Sequence, residues 1–365
     1  MWLCNKGRPM ISIKFLKAVN GDCILISFKD SQNKAKNILI DGGRDATYFD
    51  RVRRKGPLKS IIDDIKHREE KVDLLILSHI DNDHIEGLLK WFEQDKKAPK
   101  FINEVWFNSG EAIAKYLNKP KNDDLDLFIA DGSNVFTGVD EGIEFQEYLK
   151  KHNLDRDDII KKGLERDFFN LKVNVLTPSH KQLEDLLEHY QEKTGDVKYT
   201  GARNDWSKNL SDIISEEEKP SFRFRQDRSE KNGSSITMLI THEGKKFLLL
   251  ADSHPKEVCE ALKDLGYKKE NPVKVEFMQV SHHGSKANNN KELFDLVDTQ
   301  NYIISTNSSG HGHPHKSVIA RITAKNPKAT IYSNYEVVVD NLLTEQDKTD
   351  FPELQVKLIS EFHIK

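Results

Sequence analysis

Short apolar runs open this chain twice, and that double start constrains the fold more than any other feature. Residues 11–16, 23–28 and 37–40 are brief and apolar, bounded by the turn residues Asn20-Gly21-Asp22 and Asp30-Ser31-Gln32-Asn33. An amphipathic helical pattern at 58–66, a buried strand at 73–77 and a second helix at 85–92 follow. The last third returns to this order without repeating the sequence. A hairpin at 235–241 and 246–251, turned by His242-Glu243-Gly244, leads to a helix at 255–265, a strand at 273–280, a helix at 291–297 and a strand at 302–305. Segments 331–332, 336–339 and 355–361 read as extended. A strand-rich start passing into strand–helix alternation, in each half, predicts an α/β fold of two sheets flanked by helices.

Between the halves the pattern loosens. Residues 109–166 hold two or three helices joined by polar loops, and 171–176 is a strand ending at Thr177-Pro178. Ser179 is placed to cap the helix that follows. Residues 195–232 are polar and mixed in charge, as a long insertion, a lid or a disordered stretch would be. The 365 residues are read as a single domain with insertions at about 109–166 and 195–232.

Charged residues make up 32% of the chain and apolar residues 37%, but the apolar ones cluster into runs, so a sizeable core is available. The net charge of −3 supplies no global field toward nucleic acid or membrane, so any nucleic-acid surface is local. Three widely spaced cysteines, Cys4, Cys23 and Cys259, argue against a disulfide framework and fit a reducing cytoplasm. No apolar run reaches the roughly 20 residues of a membrane span. No signal-peptide core follows the first residues, where Met10 stands as an alternative start.

Seven of the 14 histidines fall in three clusters: His79/His84, His282/His283 and His311/His313/His315. His67, His152, His189, His242, His254 and His363 read as solvated or structural. The first cluster follows a buried strand, a rigid place to mount ligands. His79 and Asp81 project the same way in an extended loop, and Asp83 and His84 open the next helix. Four nitrogen and oxygen donors within six residues suit one divalent metal ion, or two close together. A polar helix cap accounts for one aspartate, not the set. Asp252 closes the strand at 247–251, where a carboxylate can bridge two cations or cap the next helix. His282 and His283 follow the strand at 273–280 and suit charge stabilisation, leaving-group protonation or ligation, with His283 favoured for the catalytic role. Lys286 beside them suits a phosphate or a solvated surface.

His79-x-Asp81-x-Asp83-His84 resembles the metal signature of the metallo-β-lactamase superfamily. It is more similar to the ComEC-like subgroup, typified by the hydrolase domain of a competence DNA-uptake protein, because the wider superfamily has His where this chain has Asp81. Residues 19–24 and 38–43 are similar to the subgroup's opening strands and glycine turn. Asn232-Gly233-Ser234-Ser235 with 248–252 resembles the segment that delivers a metal-bridging aspartate. Ser281-His282-His283-Gly284-Ser285 and His313-Pro314-His315 look like the last two motifs. The resemblance implies a metallo-β-lactamase αββα four-layer sandwich. It implies His79, Asp81, Asp83, His84, Asp252 and His313 as metal ligands, and His282, His283 and Asp83 as catalytic groups. His311 and His315 compete for the place of His313. The wider superfamily's further histidine would fall at His180; without it the first ion has only His79, Asp81, Asp252 and water, and manganese stands beside zinc.

The chemistry expected is hydrolysis by a water activated on one or two divalent ions, oriented by Asp81 or Asp83, with no serine or cysteine nucleophile. The resemblance points to a phosphodiesterase or nuclease acting on single-stranded or unpaired DNA. Basic segments 51–55, 96–100 and 222–228 suit a phosphate backbone, or are solvated surface. No membrane channel accompanies them, so a role in DNA uptake does not carry over. Two other classes stand beside this one. The chain could hydrolyse a small ester, amide or cyclic nucleotide in a closed pocket. It could also be an accessory or regulatory partner, with a degenerate site, in a multi-protein defence system. The partners expected are nucleic acid or another protein, not a membrane.

Overall fold

The computed structural model describes residues 11–52, 54–119, 138–192 and 203–364. The strand-rich stretches become two large sheets packed face to face. The first runs Glu361–Ile364, Ile11–Phe15, Ile24–Lys29, Ala35–Ile40, Leu74–Ile76, Val105–Trp106. The second runs Gln355–Leu358, Thr330–Ser333, Asn301–Ile304, Met278–Gln279, Lys245–Leu249, Thr237–His242, Leu171–Thr177, Glu165–Phe168.

Side-chain alternation along the strands separates the layers. Ile24, Ile26, Ile38, Ile40, Leu74 and Ile76 share one core with Val173, Ile240, Phe247 and Phe277 of the other sheet. Leu25, Leu39 and Leu75 sit one residue out of phase and join a second core under helices. Those helices are Pro57–His67, Asn82–Gln94, Val139–Lys151 and His180–Glu192, and Leu58, Ile61, Ile62 and Ile65 show the helical spacing of such a stripe. Beyond the second sheet, Leu239, Leu248, Met278 and Tyr302 pack on Pro255–Asp264, Lys291–Asp295 and Lys316–Lys325. Strands covered on both faces read as continuous apolar runs, which is why they stood out. The arrangement is the expected αββα sandwich.

Some local expectations change. Residues 336–339 are rich in valine, yet Glu336–Asn341 is a helix. Val338 and Leu342, four apart, both enter the outer core, so burial at helical spacing overrides β-propensity. The strand expected at 273–280 is broken into Val273–Lys274 and Met278–Gln279, which pair in different sheets. Residues 203–232 are built into the fold: the helix Leu210–Glu217 lies on Lys316–Lys325, with Glu217 and Arg321 paired at 2.7 Å. Residues 1–10, Arg53, and the parts 120–137 and 195–202 of the expected insertions lie outside the described residues. Among the described residues no helix is long and apolar enough to cross a membrane.

Topology gathers the chemistry. Ala35–Ile40 and Leu74–Ile76 are parallel in the first sheet, and Lys245–Leu249, Met278–Gln279 and Asn301–Ile304 are parallel in the second. Asp41, Ser78-His79, Asp252, His282-His283 and Ser305 all follow the C-terminal ends of these strands. In open α/β sheets, ligands collect at such ends.

Candidate metal centre

Asp252 is the hub. It is buried, and its two oxygens face two sets of groups. Oδ2 lies 3.8 Å from His79 Nε2 and 3.5 Å from His282 Nε2, with Asp81 Oδ2 a further 3.7 Å from His79 Nε2. Oδ1 lies 3.5 Å from both His84 Nε2 and His283 Nε2, and Asp83 Oδ2 is 3.7 Å from His283 Nε2. Asp252 does not cap the next helix, whose N-cap is His254.

Each of the four imidazoles is tied off on its outer side. His84 Nδ1 is 2.8 Å from Asp41 Oδ2, and His283 Nδ1 is 2.9 Å from the Ser305 carbonyl. His79 Nδ1 is 3.0 Å from Ser78 Oγ, whose own proton goes to Asp41 Oδ2 at 2.7 Å. His282 Nδ1 is 3.0 Å from Asn288 Oδ1. Carbonyl and carboxylate acceptors require N–H at Nδ1, so Nε2 carries the lone pair whenever the ring is neutral. The inward Nε2 atoms of His79, His84 and His283 are buried without a hydrogen-bond partner, as are Asp252 Oδ1 and Asp22 Oδ1. Orphaned buried donors and acceptors are rare, and a converging set of lone pairs is what a cation needs. Asp22, His84, Asp252 and His283 each offer an atom within 4.8 Å of the others.

The negative charge marks the titrations. Burial opposes charge on His282, but Asp252 and Asp227 outweigh it and raise the ring to about 10. His84 is raised in the same way by Asp252 and Asp41. His79 is pushed well below its usual value by burial and by the His84 charge. Burial lifts the Asp22 carboxyl to about 6.

Several residues of the centre also hold left-handed backbone. Asp41, Ala251, His282 and His283 all have positive φ, at 57°, 45°, 48° and 52°. Such conformations are uncommon for residues with a Cβ and cost of order 1–3 kcal/mol each. Gly21 makes a different contribution. A Cβ there would stand 1.7 Å from the Asp83 carbonyl, so only glycine lets the first loop press on Asp83. The loop's Asn20 then donates to Asp83 Oδ2 at 2.7 Å.

The structure thus brings His79, Asp81, Asp83, His84, Asp252, His282 and His283 together. His313 stands behind them. Its ring is edge-on to His282 at 5.1 Å between centroids and lies beside His311 and His315. His180 is exposed and engaged by Tyr116 and Glu184. Sequence reasoning assigned no role to Asp22, Asp41, Asp227 or Lys231. Asp227 Oδ2 accepts from Asn232 at 2.7 Å and lies 3.6 Å from His282 Nδ1. Lys231 Nζ is 2.6 Å from Asp81 Oδ1. Asp22 and Asp41 adjoin glycines in turns, the one signal that pointed at them.

Residues 16–167 match the family model of the metallo-beta-lactamase superfamily. Over this span, somewhat less than half of the chain, the sequence is similar to that superfamily. The matched span holds four of the six strands of the first sheet and the His79–His84 segment; Ile11–Phe15, Glu361–Ile364, Asp252, His282 and His283 come from outside it. The fold is an α/β sandwich of mixed sheets and helices. Among solved structures the chain is similar to CmlA, a diiron β-hydroxylase from Streptomyces venezuelae, at 11% identity and TM-score 0.39 over 98% of this chain and 54% of that one. It therefore spans about half the length of that hydroxylase. It is also similar to a diphosphatase of the PhnP family, at 9% identity and TM-score 0.38 over 97% of each chain. An archaeal metallo-β-lactamase superfamily protein from Sulfolobus tokodaii aligns at 14% identity and TM-score 0.28, over 69% of this chain and 74% of that one. Likenesses of this depth say nothing about substrate. No curated protein matches the sequence.

Proposed function

We propose that the chain is a metal-dependent hydrolase of phosphodiesters that cleaves single-stranded or unpaired DNA. One observation carries the metal chemistry: four Nε2 atoms converge on one buried carboxylate, every ring anchored at Nδ1. His79, Asp81, His282 and Asp252 would hold one divalent ion, and Asp83, His84, His283 and Asp252 a second. His282 and His283 thereby take the ligand places first expected of His313. The mixed nitrogen and oxygen donors suit zinc or manganese. Bound there, such ions supply a hydroxide near neutral pH and draw charge from the substrate.

The chain's own residues do the rest. Asp41 and Ser78 fix the rings of His84 and His79. Asp83, held by Asn20, presents a carboxylate at the mouth of the centre, where it can orient the attacking water and take its proton. Residues 222–228 support a phosphodiester substrate. Asp227 ties this segment to His282, so the exposed Arg225 and Arg228 lie within two residues of a group that touches the centre, and guanidinium groups suit phosphate. The basic segment 96–100 contributes less. Residues 96–100 lead into the strand Val105–Trp106 and so sit at the end of the sheet away from His79. DNA as the substrate rests on the ComEC-like resemblance.

A second reading has one observation behind it. Asp81, Asp83 and His282 reach solvent, but with side chains only 23%, 17% and 21% exposed. A restricted mouth favours a strand end, a cyclic nucleotide or another small ester over a duplex. Purified protein would be analysed for bound metal and assayed with zinc or manganese on single-stranded DNA, duplex DNA, RNA and a generic phosphodiester. Asp83→Ala/His84→Ala serves as the control. Activity that survives in the double variant rules out the metal mechanism. Turnover of the small diester without cleavage of nucleic acid selects the second reading. A protein that binds no metal fits an accessory partner in a larger assembly.

A further inference from the structure

Lys231 and Asp81 come from distant segments, and their contact is built. Lys231 is 6% exposed and lies on the short helix Glu230–Gly233. Its Nζ is 2.6 Å from Asp81 Oδ1, while Asp81 Oδ2 is turned toward His79. Gly138, at φ +97°, precedes the helix Val139–Lys151, and a Cβ there would stand 3.0 Å from the Lys231 ammonium. The glycine leaves that ammonium its room. Two loosely patterned segments of the sequence therefore converge on Asp81.

This contact makes the two halves of the centre unequal. Behind Asp83, His84 and His283 stand two carboxylates: Asp41, 2.8 Å from His84 Nδ1, and Asp22, 3.8 Å from His283 Nδ1. No lysine or arginine pairs with that half among the described residues. Behind His79, Asp81 and His282 stand one carboxylate at first hand, Asp227, the Asp41 carboxylate only through Ser78, and one cation, Lys231. Outer carboxylates make imidazole a better ligand. An ammonium does the reverse. It occupies one oxygen of Asp81 and repels a cation approaching the other.

We propose that Lys231 is a fixed cation that loosens the His79/Asp81/His282 half, so that the centre holds one divalent ion firmly and exchanges the other. This rests on reading the cluster as a two-ion centre. Lys231 is a positioning residue: it acts through Asp81.

Metal-free protein titrated calorimetrically with Mn²⁺, with ions per chain counted by elemental analysis, tests the idea. The wild type should bind in two steps at least about tenfold apart, the span that outer-sphere partners command. In Lys231→Gln the weaker step should tighten about tenfold, and in Lys231→Arg it should not move. The wild type alone gives a second test that does not depend on a variant folding. With histidine-labelled protein, one equivalent of Zn²⁺ should shift the ring resonances of His84 and His283 and leave His79 and His282 in place. Two equal steps, an unmoved constant in Lys231→Gln, or His79 and His282 filling first would overturn the role of Lys231. A wild type that takes up no ion would overturn the two-ion reading itself.

Discussion

Asp41 accepts a hydrogen bond from the His84 ring, its Oδ2 2.8 Å from Nδ1. The same carboxylate takes the Ser78 backbone N–H and hydroxyl, each at 2.7 Å. Asp41 therefore fixes one ring directly and a second through Ser78. Asp41→Asn keeps the shape but removes the charge that makes His84 basic. Divalent-ion affinity should fall about 10–100-fold, measured by competition with a chelator. An unchanged affinity would mean that His84 binds no ion.

The orphaned atoms of the centre predict how metal changes stability. A buried polar group without a partner costs about 1–3 kcal/mol. An ion at about 100 times its dissociation constant adds about 2.7 kcal/mol to the folded state. Zinc or manganese should raise the melting temperature by several degrees, and a chelator should reverse the gain. Asp252→Asn, at the hub, should flatten the response. A melting temperature indifferent to metal in the wild type would contradict the site.

Metal uptake should also depend on pH. His282 is raised to about 10, so near neutrality its ring carries a proton that must leave before Nε2 can bind a cation. The sign follows: apparent affinity rises with pH, by about tenfold per unit for one proton displaced. Calorimetry in buffers of different ionisation enthalpy, between about pH 6 and 8, counts the protons released. A flat profile with no proton release would remove His282 from the ligands.

Much of the architecture was readable because burial leaves a periodic trace. Ile24, Ile26, Ile38 and Ile40 alternate with Leu25 and Leu39, and both faces are covered, so each strand reads as an apolar run. The His79–His84 segment was readable because its donors are neighbours in the chain. Asp41, Asp227 and Lys231 were not. Each is a lone polar residue whose meaning lies in a contact across the fold, and His84 and Asp41 are 43 residues apart. The choice among histidines was hidden for another reason. The left-handed backbone at His282 and His283 turns both rings onto Asp252, and no pattern of residue types announces such a turn.

That turn sets His283 against His313. His283 Nε2 is 3.5 Å from Asp252 Oδ1, whereas His313 has an edge-on contact with His282. His283→Ala should cost one ion per chain. His313→Ala should keep the full complement and lower the activity only by loosening His282. Elemental analysis of both variants decides the matter. Loss of an ion in His313→Ala alone would return the ligand to the place first expected from the sequence.

Far from the chemistry, Asp347 joins three elements. It accepts the Leu210 backbone N–H at 2.6 Å, the Thr344 backbone N–H at 2.8 Å and the Lys316 ammonium at 2.5 Å. Burial opposes its charge, but the Leu210 N–H and Lys316 outweigh this and hold the carboxyl below its usual range. A depressed pKa contributes stability that is fully present above the unfolded value of about 3.9 and is lost as pH falls through the folded value. Asp347→Asn strands a buried ammonium and should cost about 3–5 kcal/mol near neutral pH, read from urea unfolding. The same titration in acid should bring the two proteins together, because the wild type loses there what the variant never had. Curves that stay parallel from neutral pH into acid would mean that the ion pair does not stabilise the junction.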